Sequence, residues 1–170
     1  MPLTGVVGDV SRVDGGYSVD GSYIAAATIN FGDVVELSPG STDKVRKYSG
    51  VGPILGIAVR DPRKGFSRDA VTGLVTEALA YGTGDNVAVL REGTIFVTIG
   101  SGVTVTEGKQ VYVVKTQGTG DPPVGSLVDE SFTPGTGGAK APIFNSFWRT
   151  GGSNTAVGEI EINLPGGAVS

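Results

Sequence analysis

The sequence predicts an all-β protein, a compact antiparallel β-barrel or β-sandwich carrying an extended N-terminal arm. Three observations lead there. The 170 residues include 29 glycines and 9 prolines, residues that end elements rather than fill them, so many short strands are favoured over long helices. A Gly-Asp opening to an apolar run recurs, in Gly32-Asp33-Val34-Val35 and Gly84-Asp85-Asn86-Val87, and Glu107-Gly108 leads into Val111-Tyr112-Val113-Val114 in the same way. These runs are rich in β-branched residues and bounded by glycine, which is the pattern of strands. The length allows one domain with a real core.

Residues 1–30 read as the arm. Gly and Asp recur at short intervals, helical periodicity is missing, and only 23–29 alternate weakly. One strand near the end of the arm is expected, or an ordered edge strand of the body itself. An arm of this kind gains order on a partner's sheet edge or groove, so the body should fold without residues 1–20.

The body, 31–170, opens with a strand at 33–37, followed by the turn cluster Ser38-Pro39-Gly40-Ser41-Thr42-Asp43. Residues 44–48 suit a short polar strand. Residues 54–60 form a strongly apolar strand whose Gly56 marks a bulge or a close backbone approach. Residues 63–68 make a basic loop. Residues 70–81 fit either a short helix or another strand pair, because Val71, Leu74, Val75, Ala78 and Leu79 hold helical spacing while Thr72-Gly73 and Thr76 weaken it.

Residues 84–99 read as a hairpin, two apolar runs around the turn Arg91-Glu92-Gly93. Val103 to Thr106 alternates, and 111–115 is a strand. Residues 116–140 read as a long Gly/Pro-rich surface loop with strand pieces at 126–128 and 131–133. The closing pair is 141–150, with the only tryptophan, Trp148, and 156–164. In the last, Val157, Glu159, Glu161 and Asn163 alternate with apolar residues, as in a strand with one wet face. Gly151 to Asn154 supplies the turn between them.

The composition narrows the chemistry. With no His and no Cys, disulfides, a His-based triad, a Cys nucleophile and a His- or Cys-ligated zinc are excluded. A net charge of -4 argues against nonspecific nucleic-acid binding. No apolar run approaches a membrane span, and no secretion signal is visible at the N-terminus. Asp14 to Gly21 holds two Asp-Gly pairs but lacks the ligand spacing of a calcium loop, so ordinary turns are expected. Asp33, Asp61, Asp85, Glu92 and Glu107 mostly sit beside Gly or Pro, as turn residues do. No catalytic, cofactor or metal residue is therefore assigned.

Several of these runs together resemble a known family. They are Phe31-Gly32-Asp33-Val34-Val35, the stretch Ile54 to Asp61, Tyr81 to Gly93 with Ile95-Phe96-Val97, Glu107 to Val113, and Ala156 to Leu164. In order and spacing they resemble the small structural cement, or head-decoration, proteins of tailed bacteriophages, and Thr4-Gly5-Val6-Val7-Gly8-Asp9 matches less closely. The resemblance implies a non-enzymatic protein, made in the bacterial host cytoplasm, that coats the outer surface of an assembled capsid and stabilises it. It implies the major capsid protein and sister copies as partners, a trimer ahead of a dimer, with no membrane or nucleic acid. A tail or baseplate structural protein is the alternative. A small trimeric nucleotide hydrolase is a weaker one, because Gly166-Gly167-Ala168-Val169-Ser170 lacks the aromatic and basic residues of a phosphate-binding tail. A swinging-arm carrier would need an exposed hairpin lysine, for which only Lys109 qualifies.

Candidate contact residues follow. Leu3, Val6, Val7, Tyr17 and Tyr23 are the apolar and aromatic residues of the arm. Arg60, Arg63 and Arg68, with Lys64, form a basic cluster, either a solvated loop or a contact for an acidic patch. Phe144 and Trp148 share one face of their strand by alternation, with Ile143 and Phe147 on the other. A strand apolar on both faces is either a core strand or one that packs against a sister subunit.

Overall fold

A single strand of 13 residues, Asn86–Thr98, organises the molecule. The computed structural model describes residues 6–12, 18–61, 67–68, 75–76 and 80–164. Among them every regular element is a strand: β1 (Val10–Arg12), β2 (Ser18–Ala25), β3 (Ile29–Asn30), β4 (Val34–Leu37), β5 (Lys44–Lys47), β6 (Ile54–Ala58), β7 (Ser67–Arg68), β8 (Val75–Thr76), β9 (Ala80–Tyr81), β10 (Asn86–Thr98), β11 (Thr104–Val105), β12 (Gln110–Thr116), β13 (Leu127–Asp129), β14 (Ala139–Trp148), β15 (Gly152–Ser153) and β16 (Val157–Asn163). The all-β, barrel-like expectation holds.

The sheet closes on itself along the first half of β10. That half pairs with β2 and with β6, and the path β2-β5-β4-β6 joins them. The β2–β5 pairing is parallel; the others in this ring are antiparallel. Closure leaves no free edge in the ring. The second half of β10 pairs with β16, and β16-β14-β12-β13 continue outward. This second sheet curls back, because Ile99 bridges Leu127 and Gly100 N donates to Leu127 O. Two small barrels thus share one strand.

The apolar pattern follows from that arrangement. Val34 packs into the larger core with Ile57, Leu90, Ile95 and Trp148, whereas its neighbour Val35 packs into the smaller one with Leu55, Ala58 and Val87. β4 and β6 are covered on both faces, and all of β6 is buried, which is why 54–58 reads as a continuous apolar run rather than an alternating one. The close approach expected at Gly56 is present: a β-carbon there would lie 2.2 Å from Leu90 O. β3 and β9 pair beside the smaller core, where Tyr81 stacks edge-on to Phe31 with ring centroids 5.1 Å apart.

One expectation is corrected. Residues 84–99 are not a hairpin, because β10 runs unbroken through Arg91-Glu92-Gly93. Gly93 has φ 128°, and the pairing of β10 with β2 slips between Leu90 and Glu92. The glycine therefore marks a bend inside a strand that changes barrel, where a hairpin turn would have reversed it.

Of the two forms expected of the N-terminal segment, an arm or an ordered edge strand of the body, its described residues from Gly8 pair within the sheet. Ser18–Ala25 is a strand of the closed ring, and β1 pairs with β10 at Val10↔Ile95. Gly8 N donates to Phe96 O and Arg60 N to Gly8 O, both within 2.8 Å. From Gly8 onward the described N-terminal residues belong to the body, since β10 offers their backbone a continuous partner. The question of a helix at 70–81 falls mostly outside the described residues, although Val75–Thr76 and Ala80–Tyr81 are strands.

Candidate functional site

On β14 the alternation expected from Ile143 to Trp148 is broken by Asn145, which has φ 48°. Pairing with β12 jumps from Pro142↔Tyr112 to Phe147↔Gln110, so 143–146 are opposed by Val111 alone. This bulge resets the faces. Ile143, Ser146 and Trp148 point into the core, and Phe144 and Phe147 are 43% and 48% exposed. Trp148 is therefore not a surface residue. It is fully buried, its Nε1 donates to Val128 O at 3.1 Å, and its ring lies over Gly158. Ser146 Oγ, also buried, donates to Ile143 O inside the bulge.

Phe144 edges a groove of about 380 Å³ with Val51, Pro53, Pro142 and Leu164. Val51 is 83% exposed, the most exposed of the large apolar side chains among the described residues. Its loop is held from beneath by Glu36. That carboxylate is fully buried and accepts from Arg46 Nε at 2.8 Å, Ser49 Oγ at 2.5 Å and Gly52 N at 2.8 Å. Burial pushes the Glu36 carboxyl up, but the bonds from Ser49, Gly52 and Arg46 outweigh it and hold the acid below its ordinary value. An exposed apolar side chain on a clamped loop is preorganised for contact, since little loop entropy remains to be lost on binding.

A second cleft, of about 540 Å³, lies between the barrels. Val6 and Val7 line it with Phe31, Lys47, Ile99 and Leu127, and Val6 is 41% exposed. The remaining candidates are dispersed. Tyr23 is half-buried against the smaller core, and burial, with the Asp20 charge next, pushes its hydroxyl up. Arg60 is paired within the chain, its Nη1 3.4 Å from Asp9 Oδ1. Leu3, Tyr17 and Arg63 lie outside the described residues, and of Arg68 only its strand is described.

The long loop expected at 116–140 is tied by acids that the sequence did not single out. Asp121 accepts from Gly118 N at 2.9 Å and Gly135 N at 2.8 Å. Asp129, fully buried, accepts from Thr106 N, Ser131 N and Ser131 Oγ. Burial pushes the Lys140 amine down, against the Asp129 and Glu130 charges that pull it up. Lys109 is engaged with Glu130 Oε1 at 2.6 Å. Among the described residues no group of three His, Cys, Asp or Glu gathers as a metal site. What the described surface offers is contact: a clamped apolar knob, a groove and two outward rings.

Comparison with known proteins bears on that surface. Residues 2–163 match the family described as "Structural cement protein (E217 gp24/Pam3 gp6)". No curated protein sequence matches. Among solved structures, a chain in "The capsid of Myoviridae Phage XM1" superposes with a TM-score of 0.64 at 18% identity, over 95% of this chain and 94% of that one. At that identity the likeness concerns the fold.

Proposed function

The chain belongs to the phage structural cement family and is a structural component of the virion capsid, and from that premise we propose how it attaches. It binds the outer surface of the assembled head through the major capsid protein, as a homo-oligomer, a trimer in preference to a dimer, and works by binding without catalysis. The observation that carries the reading is the pairing of Val51 and Phe144 across one groove, both exposed, with the Val51 loop clamped by buried Glu36. Burying a Val or Phe side chain is worth about 1.5–3 kcal/mol. Such a knob suits a subunit interface, where an apolar centre is favoured. The cleft beside Val6 and Val7 is the surface for the capsid. Modest energy per copy sums over a symmetric lattice.

The test is a Val51→Ser/Phe144→Ser protein studied by light scattering at micromolar concentration and by pelleting with bare heads. The account expects wild type to be oligomeric and the double variant to be a folded monomer with weakened pelleting. A wild-type monomer, or a variant that keeps the wild-type mass, contradicts the placement of the interface.

A further inference from the structure

Lys140 lies on β14 beside Ala139, and its ammonium is held by one turn. Nζ donates to Glu130 O at 2.5 Å, to Phe132 O at 2.6 Å and to Asp129 O at 3.3 Å. The Tyr112 ring covers the same nitrogen, 4.5 Å from its centroid. An ammonium has three donors, and each meets a main-chain carbonyl, while the remaining side meets the face of an aromatic ring, which attracts cations. The neighbouring carboxylates are occupied by other groups. Asp129 takes Thr106 N and the Ser131 donors, and Glu130 Oε1 takes Lys109 Nζ.

Converging main-chain carbonyls are what proteins use to replace the water shell of a monovalent cation. We propose that the 129–132 turn, roofed by Tyr112, is a monovalent-cation site of the ammonium and potassium class, and that Lys140 is its tethered occupant. Covalent attachment keeps the cation at high effective concentration. The turn therefore holds its shape without any free ion, a property independent of how the chain docks. Removing the amine leaves the cage open to a small free cation.

The experiment uses the full chain as wild type, Lys140→Ala and Lys140→Met. Thermal unfolding is followed in ammonium, methylammonium, potassium and choline chloride at equal ionic strength. Wild type should unfold at one temperature in all four. Lys140→Ala should lose roughly 5 °C in choline. It should recover at least half of that, saturably, in ammonium or methylammonium. Lys140→Met, whose thioether fills the space, should lose stability without recovery. Equal unfolding temperatures for Lys140→Ala in the four salts overturn the proposal, as does a wild type with the same salt order. Should Lys140→Ala fail to fold in choline, its refolding yield in ammonium against choline reads the same quantity, and equal yields overturn it.

Discussion

Gly8 and Gly32 cross face to face where the N-terminal segment passes over the turn before β4. A β-carbon on Gly8 would lie 3.2 Å from Gly32 N and 2.6 Å from Phe31 Cβ; one on Gly32 would lie 2.4 Å from Val7 Cγ1. Both have positive φ, 86° and 81°. Alanine at either position meets a collision and a disfavoured backbone together, each costing of order 1–3 kcal/mol. Gly8→Ala and Gly32→Ala should each lower the unfolding midpoint in urea without changing its slope.

Truncation separates contact from folding. Removing residues 1–20 takes away β1, the Gly8 bonds to Phe96 and Arg60, the Asp9–Arg60 pair and the start of β2. That protein is expected to lose cooperative unfolding by circular dichroism. Removing only residues 1–5 spares every one of these bonds and should leave the body folded. Its binding to bare heads should fall at least tenfold, about 1.4 kcal/mol, and unchanged binding would place the contact elsewhere on the body.

Trp148 and Gly158 form a size-matched pair in the larger core. A β-carbon on Gly158 would stand 2.7 Å from Trp148 Cζ3. Gly158→Val should cost about 1–3 kcal/mol by overpacking, and Trp148→Ala about 3–5 kcal/mol through the cavity it leaves. Tryptophan fluorescence of Gly158→Val should also shift, since a displaced ring changes its surroundings.

Glu36 gives the protein an acid limit. Its pKa is below the ordinary 4.5 when folded, so the folded state binds fewer protons there than the unfolded chain. The stabilisation is complete above the ordinary value and is lost as pH falls through the folded one. Asp20, lowered chiefly by its bond from Ser22, has the same sign. Glu36→Gln should lower stability at pH 7 by about 2 kcal/mol, because the Arg46 and Ser49 bonds weaken. Its stability should also fall less than wild type's between pH 5 and pH 3, measured by urea unfolding at each pH.

Local signals were legible where local physics decides. Gly-bounded β-branched runs gave the strands, and Gly56 gave the close approach to Leu90. Gly93 was visible as a break, but a bend in one strand and a turn between two look alike until the partners are known, and those partners, β2 and β16, lie far away in sequence. Asn145 hid the true faces of β14, since one residue in a left-handed conformation reverses the parity of every residue after it. Nothing in the sequence singles out Glu36 or Asp129, because the donors that make their burial tolerable, Gly52 and Thr106, come from distant loops. The exposed knob at Val51 was missed for the same reason.

The most direct test of the account is sedimentation of the purified chain with bare heads of its parent phage. Saturable co-pelleting, with bound protein on the outer surface by cryo-electron microscopy and heads that resist higher temperature, is the result expected. Protein that stays in the supernatant at concentrations well above that of capsid sites, with head stability unchanged, would contradict the cement role.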